Sequence, residues 1–243
     1  LELRTSLAVV LRNAGARRAA EAAAPAVLAT LGARWRVEVR TPDDAPAATR
    51  AARDAVDAGA EVVVAAGGDG TVRAVAQALG GTGVPLGILP AGTANDLARA
   101  LGLPRTPADA AHALVAGTAR AIDLVRADDA RFCTVGGLGI VSHSALAVTA
   151  LKARGGLARA AAVGVGAAIY RCTAAAALLG RAARPRTIVL SRIAPHGARH
   201  DESLEVHGLF VANQRFLGGG LALPSGSRDD DGAFELCCVL RSP

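Results

Sequence analysis

Short apolar runs alternate with alanine-rich or amphipathic stretches through the first half of the chain. Ser6 to Leu11, Trp35 to Arg40, Glu61 to Ala66 and Pro85 to Leu89 have strand length and strand composition. Between them Ala16 to Leu31, Ala45 to Ala58 and Thr71 to Leu79 carry helical spacing, and Ala94 to Leu101 follows the fourth run in the same way. Runs that are apolar without alternation suit strands buried on both faces, and strand–helix alternation calls for crossover connections. The pattern predicts an α/β fold: a mostly parallel sheet in a three-layer arrangement.

After about Ile122 the pattern changes. Arg131 to Val135, Thr187 to Arg192, Glu205 to Ala212, Leu217 to Leu223 and Ala233 to Leu240 read as strands with Gly-rich or Pro-rich turns. One long helical region, about Ser142 to Leu179 with a break at Gly155-Gly156, interrupts them. Ala194 to Ser203 is polar and reads as a flexible loop. The expected division is an α/β domain over 1–122 and a β-rich, sandwich-like, mainly antiparallel domain over 123–243.

Composition narrows the classes. The chain has 243 residues, 51% of them hydrophobic, enough to bury a substantial core. Aromatics are only 2% and the arginines are scattered, so the net charge of +6 points to nucleotides or anionic lipid headgroups rather than nucleic acid. Cys133, Cys172, Cys237 and Cys238 show neither metal spacing nor a disulfide framework, which fits a reducing cytosol. Glu2 and Arg4 interrupt any signal-peptide pattern, and the absent initiator Met suggests a trimmed chain. Leu157 to Gly180 is the one candidate membrane segment. Its clean run, Ala160 to Tyr170, is too short to span a bilayer, which takes ~20 apolar residues, so a packing or interfacial helix is expected.

The chemistry concentrates at two strand-to-helix junctions. Gly67-Gly68-Asp69-Gly70-Thr71 follows one apolar run, and Gly92-Thr93-Ala94-Asn95-Asp96 follows the next. Backbone amides freed at such junctions hold phosphate oxygens, and glycines let the phosphate approach. Two junctions this close suggest one polyphosphate site. Asp69 reads either as a helix cap or as a group beside a Mg-nucleotide, and the doubled loop favours the second. Thr93 and Asp96 have capping-box spacing, compatible with a Thr93–phosphate contact, while Asn95 suits a turn or a contact equally. Asp229-Asp230-Asp231 reads as a solvated acidic turn, with a Mg²⁺ site as the alternative. Gly218-Gly219-Gly220 is either a turn or a close approach to ligand. His196, His200 and His207 read as surface residues, and Ser142-His143-Ser144 lacks a nucleophile-elbow context.

These motifs together resemble the diacylglycerol kinase catalytic family, which includes the YegS-like lipid kinases and is related to sphingosine and ceramide kinases. Gly67 to Thr71 matches its nucleotide loop, and Leu89-Pro90-Ala91-Gly92-Thr93-Ala94-Asn95-Asp96-Leu97-Ala98 its second signature. Leu101-Gly102-Leu103-Pro104, Ile122-Asp123-Leu124 and Val211-Ala212-Asn213 through Gly220 follow in order. The first loop alone also occurs in NAD kinases and phosphofructokinases; the second separates this group from both.

The resemblance implies a fold like that of NAD kinase and diacylglycerol kinase, and ATP-dependent phosphorylation of a lipid hydroxyl such as that of diacylglycerol. By position it implies nucleotide contacts at Asn13, Thr41, Gly67, Gly68, Asp69, Gly70, Thr71, Val72, Arg73 and Thr93. Asp69, Asp96 and Asp123 correspond to an acidic network organising catalytic Mg²⁺ and water, and Arg228, Asp231 and Ala233 to a second, structural Mg²⁺ site. The implied partner is a lipid substrate at the membrane surface, entering a cleft between the two domains, and the implied location is cytoplasmic with peripheral membrane association. A homodimer is left open. The first loop, Asn13-Ala14-Gly15-Ala16, departs from the usual Asn-Pro-x-Ser-Gly. The family's proton acceptor lies in a late Asp-Gly-Glu element with no equivalent up to Pro243, so that element is expected in a segment beyond it. An NAD-kinase-like soluble-substrate kinase and a catalytically silent nucleotide- or lipid-binding module stay open as alternatives.

Overall fold

A computed structural model describes residues 6–16, 18–153, 172–173, 176, 184–194, 196–217, 221–222 and 226–240. They fall into two compact units, residues 1–134 with 213–233, and 135–212 with 234–243. The first unit thus runs past residue 122, where the division was expected, and takes back a later segment.

The first unit begins with β1 (Leu7–Arg12), α1 (Ala19–Ala22), α2 (Pro25–Gly32), β2 (Arg36–Arg40), α3 (Ala45–Asp57) and β3 (Ala60–Gly67). It continues through α4 (Asp69–Leu79), β4 (Leu86–Pro90), α5 (Asp96–Ala100), α6 (Pro107–Ala116), β5 (Val125–Ala127) and β6 (Ala130–Phe132). The four long strands form a parallel sheet in the order β2-β1-β3-β4. Alternate residues of the central strands feed two cores. Val9, Leu11, Val63 and Ala65 pack with Ala52, Ala55, Val72 and Val75 of α3 and α4. Ala8, Val10, Val62 and Val64 pack with Val27, Leu31, Trp35 and Ala111 on the side of α2 and α6. Each fully buried valine or leucine contributes about 1.5–3 kcal/mol, so these runs set the sheet and its two helical layers.

Local chemistry explains the boundaries. Asp44 caps α3 by accepting the Ala47 amide at 2.7 Å. The single helix expected over Ala16 to Leu31 is two, because Pro25 has no amide proton for a helix interior and instead opens α2. Helix α6 was not anticipated. Thr106 caps it by accepting the Asp109 amide at 3.2 Å, with Pro107 in its first turn.

The second unit contributes β7 (Val135–Gly139), α7 (Ile140–Ala153), β8 (Arg186–Ile193) and β9 (Arg199–Ala212). The chain then returns to the first unit for the short strands β10 (Phe216–Leu217) and β11 (Leu221–Ala222), and ends in β12 (Glu235–Leu240) of the second. Strand β9 pairs antiparallel with β7, β8 and β12. The second half of the loop expected over Ala194 to Ser203 is strand, because the polar side chains find cross-strand partners such as Arg192 with Glu202 at 2.9 Å. The strand expected over Arg131 to Val135 is divided between β6 and β7. The break at Gly155-Gly156, most of Leu157 to Gly180, and Gly218 to Gly220 lie outside the described residues.

Candidate active site at the carboxyl edge of the parallel sheet

The chain moves from β1 outward to β2, returns to β3 on the other side of β1, and continues to β4. The ends of β1 and β3 therefore flank the switch point where open α/β sheets bind ligands. Asn13, just past β1, donates its amide to Ala66 O at 3.1 Å and its Nδ2 to Thr71 Oγ1 at 3.3 Å. Its Oδ1 accepts the Gly15 amide at 2.9 Å. Thr41 follows β2 and accepts from Arg12 Nη2 at 3.4 Å. The Nε of Arg12 is buried with no acceptor among the described residues.

Strands β3 and β4 end level, Gly67 opposite Pro90, with the Ala91 amide donating to Gly67 O at 2.9 Å. Their following turns touch backbone to backbone. A Cβ on Gly92 would collide with Gly68 Cα and lie 2.8 Å from Asn95 Oδ1, and one on Gly68 would lie 3.0 Å from Gly92 Cα. Glycine is needed at both positions for this approach. The amides of Gly68, Gly70, Thr93 and Ala94 donate to no acceptor among the described residues. Two adjacent turns thus offer unmatched donors, the arrangement that holds phosphate oxygens.

Asp69 joins the turns. Its Oδ2 accepts the Asn95 amide at 2.9 Å and its Oδ1 the Asp96 amide at 2.6 Å. It is a cap, as one reading of the sequence held, but of α5 rather than of its own helix. The Thr93–Asp96 capping box does not form, because α5 begins at Asp96 and its N-cap position is Asn95. Asn95 adopts the left-handed conformation (φ 52°), which its short side chain tolerates. Its Oδ1 accepts the Gly92 amide at 3.0 Å and its Nδ2 donates to Gly92 O at 3.1 Å, locking the turn. Burial chiefly, and then the charge of Asp96, push the Asp69 carboxyl above its ordinary value, against the backbone amides of Asp96, Asn95 and Asp69 itself, which lower it.

Asp123 belongs to the same unit. Its amide donates to Asp229 O at 2.7 Å, its Oδ2 accepts the Gly232 amide at 2.7 Å, and its carbonyl accepts Asn213 Nδ2 at 2.8 Å. Arg120 adds a two-pronged ion pair to Asp229, at 3.1 and 2.8 Å. These bonds tie Asp123 to the acidic turn. Asp231 Oδ1 accepts the Ala233 amide at 3.0 Å, and Arg228 Nε bonds Asp230 at 3.2 Å. Among the described residues no group of three or more acidic, histidine or cysteine side chains is placed to hold a metal ion alone.

Asn13, Gly67 to Thr71 and Thr93 to Asp96 thus meet at one edge, with Thr41 linked through Arg12. Val72 points into the core, while Arg73 is exposed on α4. Cys133 is buried, and that burial, aided by the charge of Asp69, raises its thiol to about 11, so it packs as an inert side chain. Sequence reasoning missed Arg12, whose signal is a lone charge ending an otherwise apolar strand. It also missed Asn213 as the fully buried tie to Asp123.

Comparison with known proteins bears on this edge. A family model described as the diacylglycerol kinase catalytic domain matches residues 6–127. A Pseudomonas fluorescens protein named "Probable lipid kinase YegS-like" is 35% identical over 230 residues, covering 90% of this chain and 68% of its own. A Mycobacterium tuberculosis diacylglycerol kinase is 50% identical over 76 residues, 31% of this chain and 25% of its own. A diacylglycerol kinase crystal structure from Bacillus anthracis superposes with a TM-score of 0.68 at 19% identity, covering 99% of this chain and 75% of that one.

Proposed function

This chain belongs to the diacylglycerol kinase catalytic-domain family, and on that premise we propose that it transfers the γ-phosphoryl group of ATP to the hydroxyl of a lipid alcohol of the diacylglycerol type. The observation that carries the reading is the pair of apposed turns at Gly68 and Gly92, with four unmatched amides between them, beside the β1/β3 switch point.

In this reading the amides of Gly68, Gly70, Thr93 and Ala94 take phosphate oxygens, and Asn13 and Thr71 close the site from the β1 side. Phosphoryl transfer needs little covalent work from a protein; it needs positioning and donors aimed at the charge on the transferring group. Asp69 acts by position, because both of its oxygens hold amides of the second turn.

The carboxylates suit Mg²⁺. Asp69 and Asp96 lie close enough for the charge of one to raise the other, a strain that a cation beside them relieves. With no three-ligand cluster among the described residues, the ion fits one that keeps waters and phosphate oxygens as most of its shell. When bound, it supplies charge neutralisation at the phosphates. Asp231, with carbonyls of Arg228 and Ala233, would hold a second ion of structural type.

Among the described residues no helix is long and apolar enough to cross a membrane. We place the protein in the cytoplasm, meeting its lipid at the membrane surface, where each basic residue near an anionic bilayer adds about 1 kcal/mol. The test is transfer of labelled γ-phosphate from Mg-ATP to diacylglycerol in mixed micelles, with NAD as the soluble comparison. Labelled phosphatidic acid is expected; label on NAD alone, or none on either, contradicts the reading.

A further inference from the structure

Arg12 ends a strand whose first five residues are all buried, and it is the only charged side chain in that run. An arginine in such a place needs partners for its planar fork of donors, since each buried N–H without an acceptor costs about 1–3 kcal/mol. The structure supplies one long bond, Nη2 to Thr41 Oγ1 at 3.4 Å, and leaves Nε buried and unmatched among the described residues. Arg12 also forms no ion pair among them.

The position gives this deficit a meaning. Arg12 is the last residue of β1, paired with Ala66 of β3, and precedes Asn13, which reaches across to Thr71. It therefore stands at the switch point, next to the amide-lined turns. We propose that Arg12 is a nucleotide-binding residue that holds a phosphate oxygen of bound ATP through Nε and an Nη, with Thr41 fixing the orientation of the guanidinium. The inference rests on the kinase reading and deepens it. A guanidinium matches a phosphate bidentately, where an ammonium supplies only a point charge.

The test is calorimetric titration of the wild-type protein, R12Q and R12K with Mg-ATP, Mg-ADP and adenosine, together with urea unfolding. R12Q is expected to bind Mg-ATP about 10- to 100-fold more weakly, the size of a charge-assisted hydrogen bond. R12K is expected to recover part of the loss, and adenosine affinity to change by no more than about twofold, since no phosphate is present. R12Q is also expected to unfold no more easily than wild type, because it removes an unmatched donor. Equal losses for adenosine and ATP, or no loss for ATP, overturn the role of Arg12 and leave the kinase reading standing. A wild-type protein that binds none of the three overturns both.

Discussion

The Asp69 carboxylate, on the first turn of α4, accepts the Asp96 amide at 2.6 Å, so an acid in one glycine-rich turn caps the short helix that follows the other. The two loops are one unit. The capping acid and the amide it caps lie in different helices, and the spacing between the turns depends on a bond that spans 27 positions of sequence.

Asp69→Ala strips the acceptor from both the Asn95 and Asp96 amides. Unmatched buried donors cost about 1–3 kcal/mol, so the variant is expected to fold with reduced stability and to lose transfer by more than about a hundredfold. Because Asp69 acts by position, Mg-ATP affinity should fall along with kcat. Near-normal turnover, or a kcat loss with unchanged ATP affinity, contradicts this role.

The pH dependence of stability carries the mark of the same group. Burial and the Asp96 charge raise the Asp69 carboxyl above 3.8. The folded protein therefore keeps a proton that the unfolded chain has released, and the contribution of this group falls as pH climbs from 3.8 towards its native value. Asp69→Asn removes that contribution. The stability difference, wild type minus variant, should shrink with rising pH across the acid range in urea unfolding, and a difference that grows refutes the assignment.

Gly92→Ala places a methyl group against Gly68 Cα and the Asn95 amide oxygen. Backbone cannot yield as a flexible side chain does, so overpacking should cost about 1–3 kcal/mol and part the turns. Mg-ATP affinity is expected to fall at least tenfold, about 1.4 kcal/mol. Calorimetry and denaturation on one sample check both numbers, and an unchanged affinity would separate the glycine contact from nucleotide binding.

Much of this edge was legible in the sequence. The apolar runs at residues 7–12 and 60–67 and the glycines beside Asp69 and Thr93 located the strands and both turns, because burial on two faces and tight backbone approach each leave a compositional trace. What stayed hidden depends on contacts distant in sequence. Asp69 capping α5, Arg12 reaching Thr41 and Asp123 accepting from Gly232 join positions that no local pattern relates. The box at Thr93 misled because spacing alone cannot tell where a helix starts once Asn95 turns left-handed.

Asp123→Ala tests one of those hidden ties. It removes the acceptor of the Gly232 amide but leaves the backbone bond to Asp229. A loss of about 1 kcal/mol is expected, with faster hydrogen exchange at Gly232 and little change at Asn95 or Asp96. Exchange that quickens equally at all three would show that Asp123 also supports the turn capped by Asp69.

The central claim is that the turns at Gly68 and Gly92 grip the phosphates of ATP together, and amide chemical-shift mapping with Mg-ATP addresses it most directly. The Gly68, Gly70, Thr93 and Ala94 signals are expected to move in step along one binding curve and further than those of the rest of the sheet edge. If Mg-ATP binds while these four stay still, or only one turn responds, the account is contradicted.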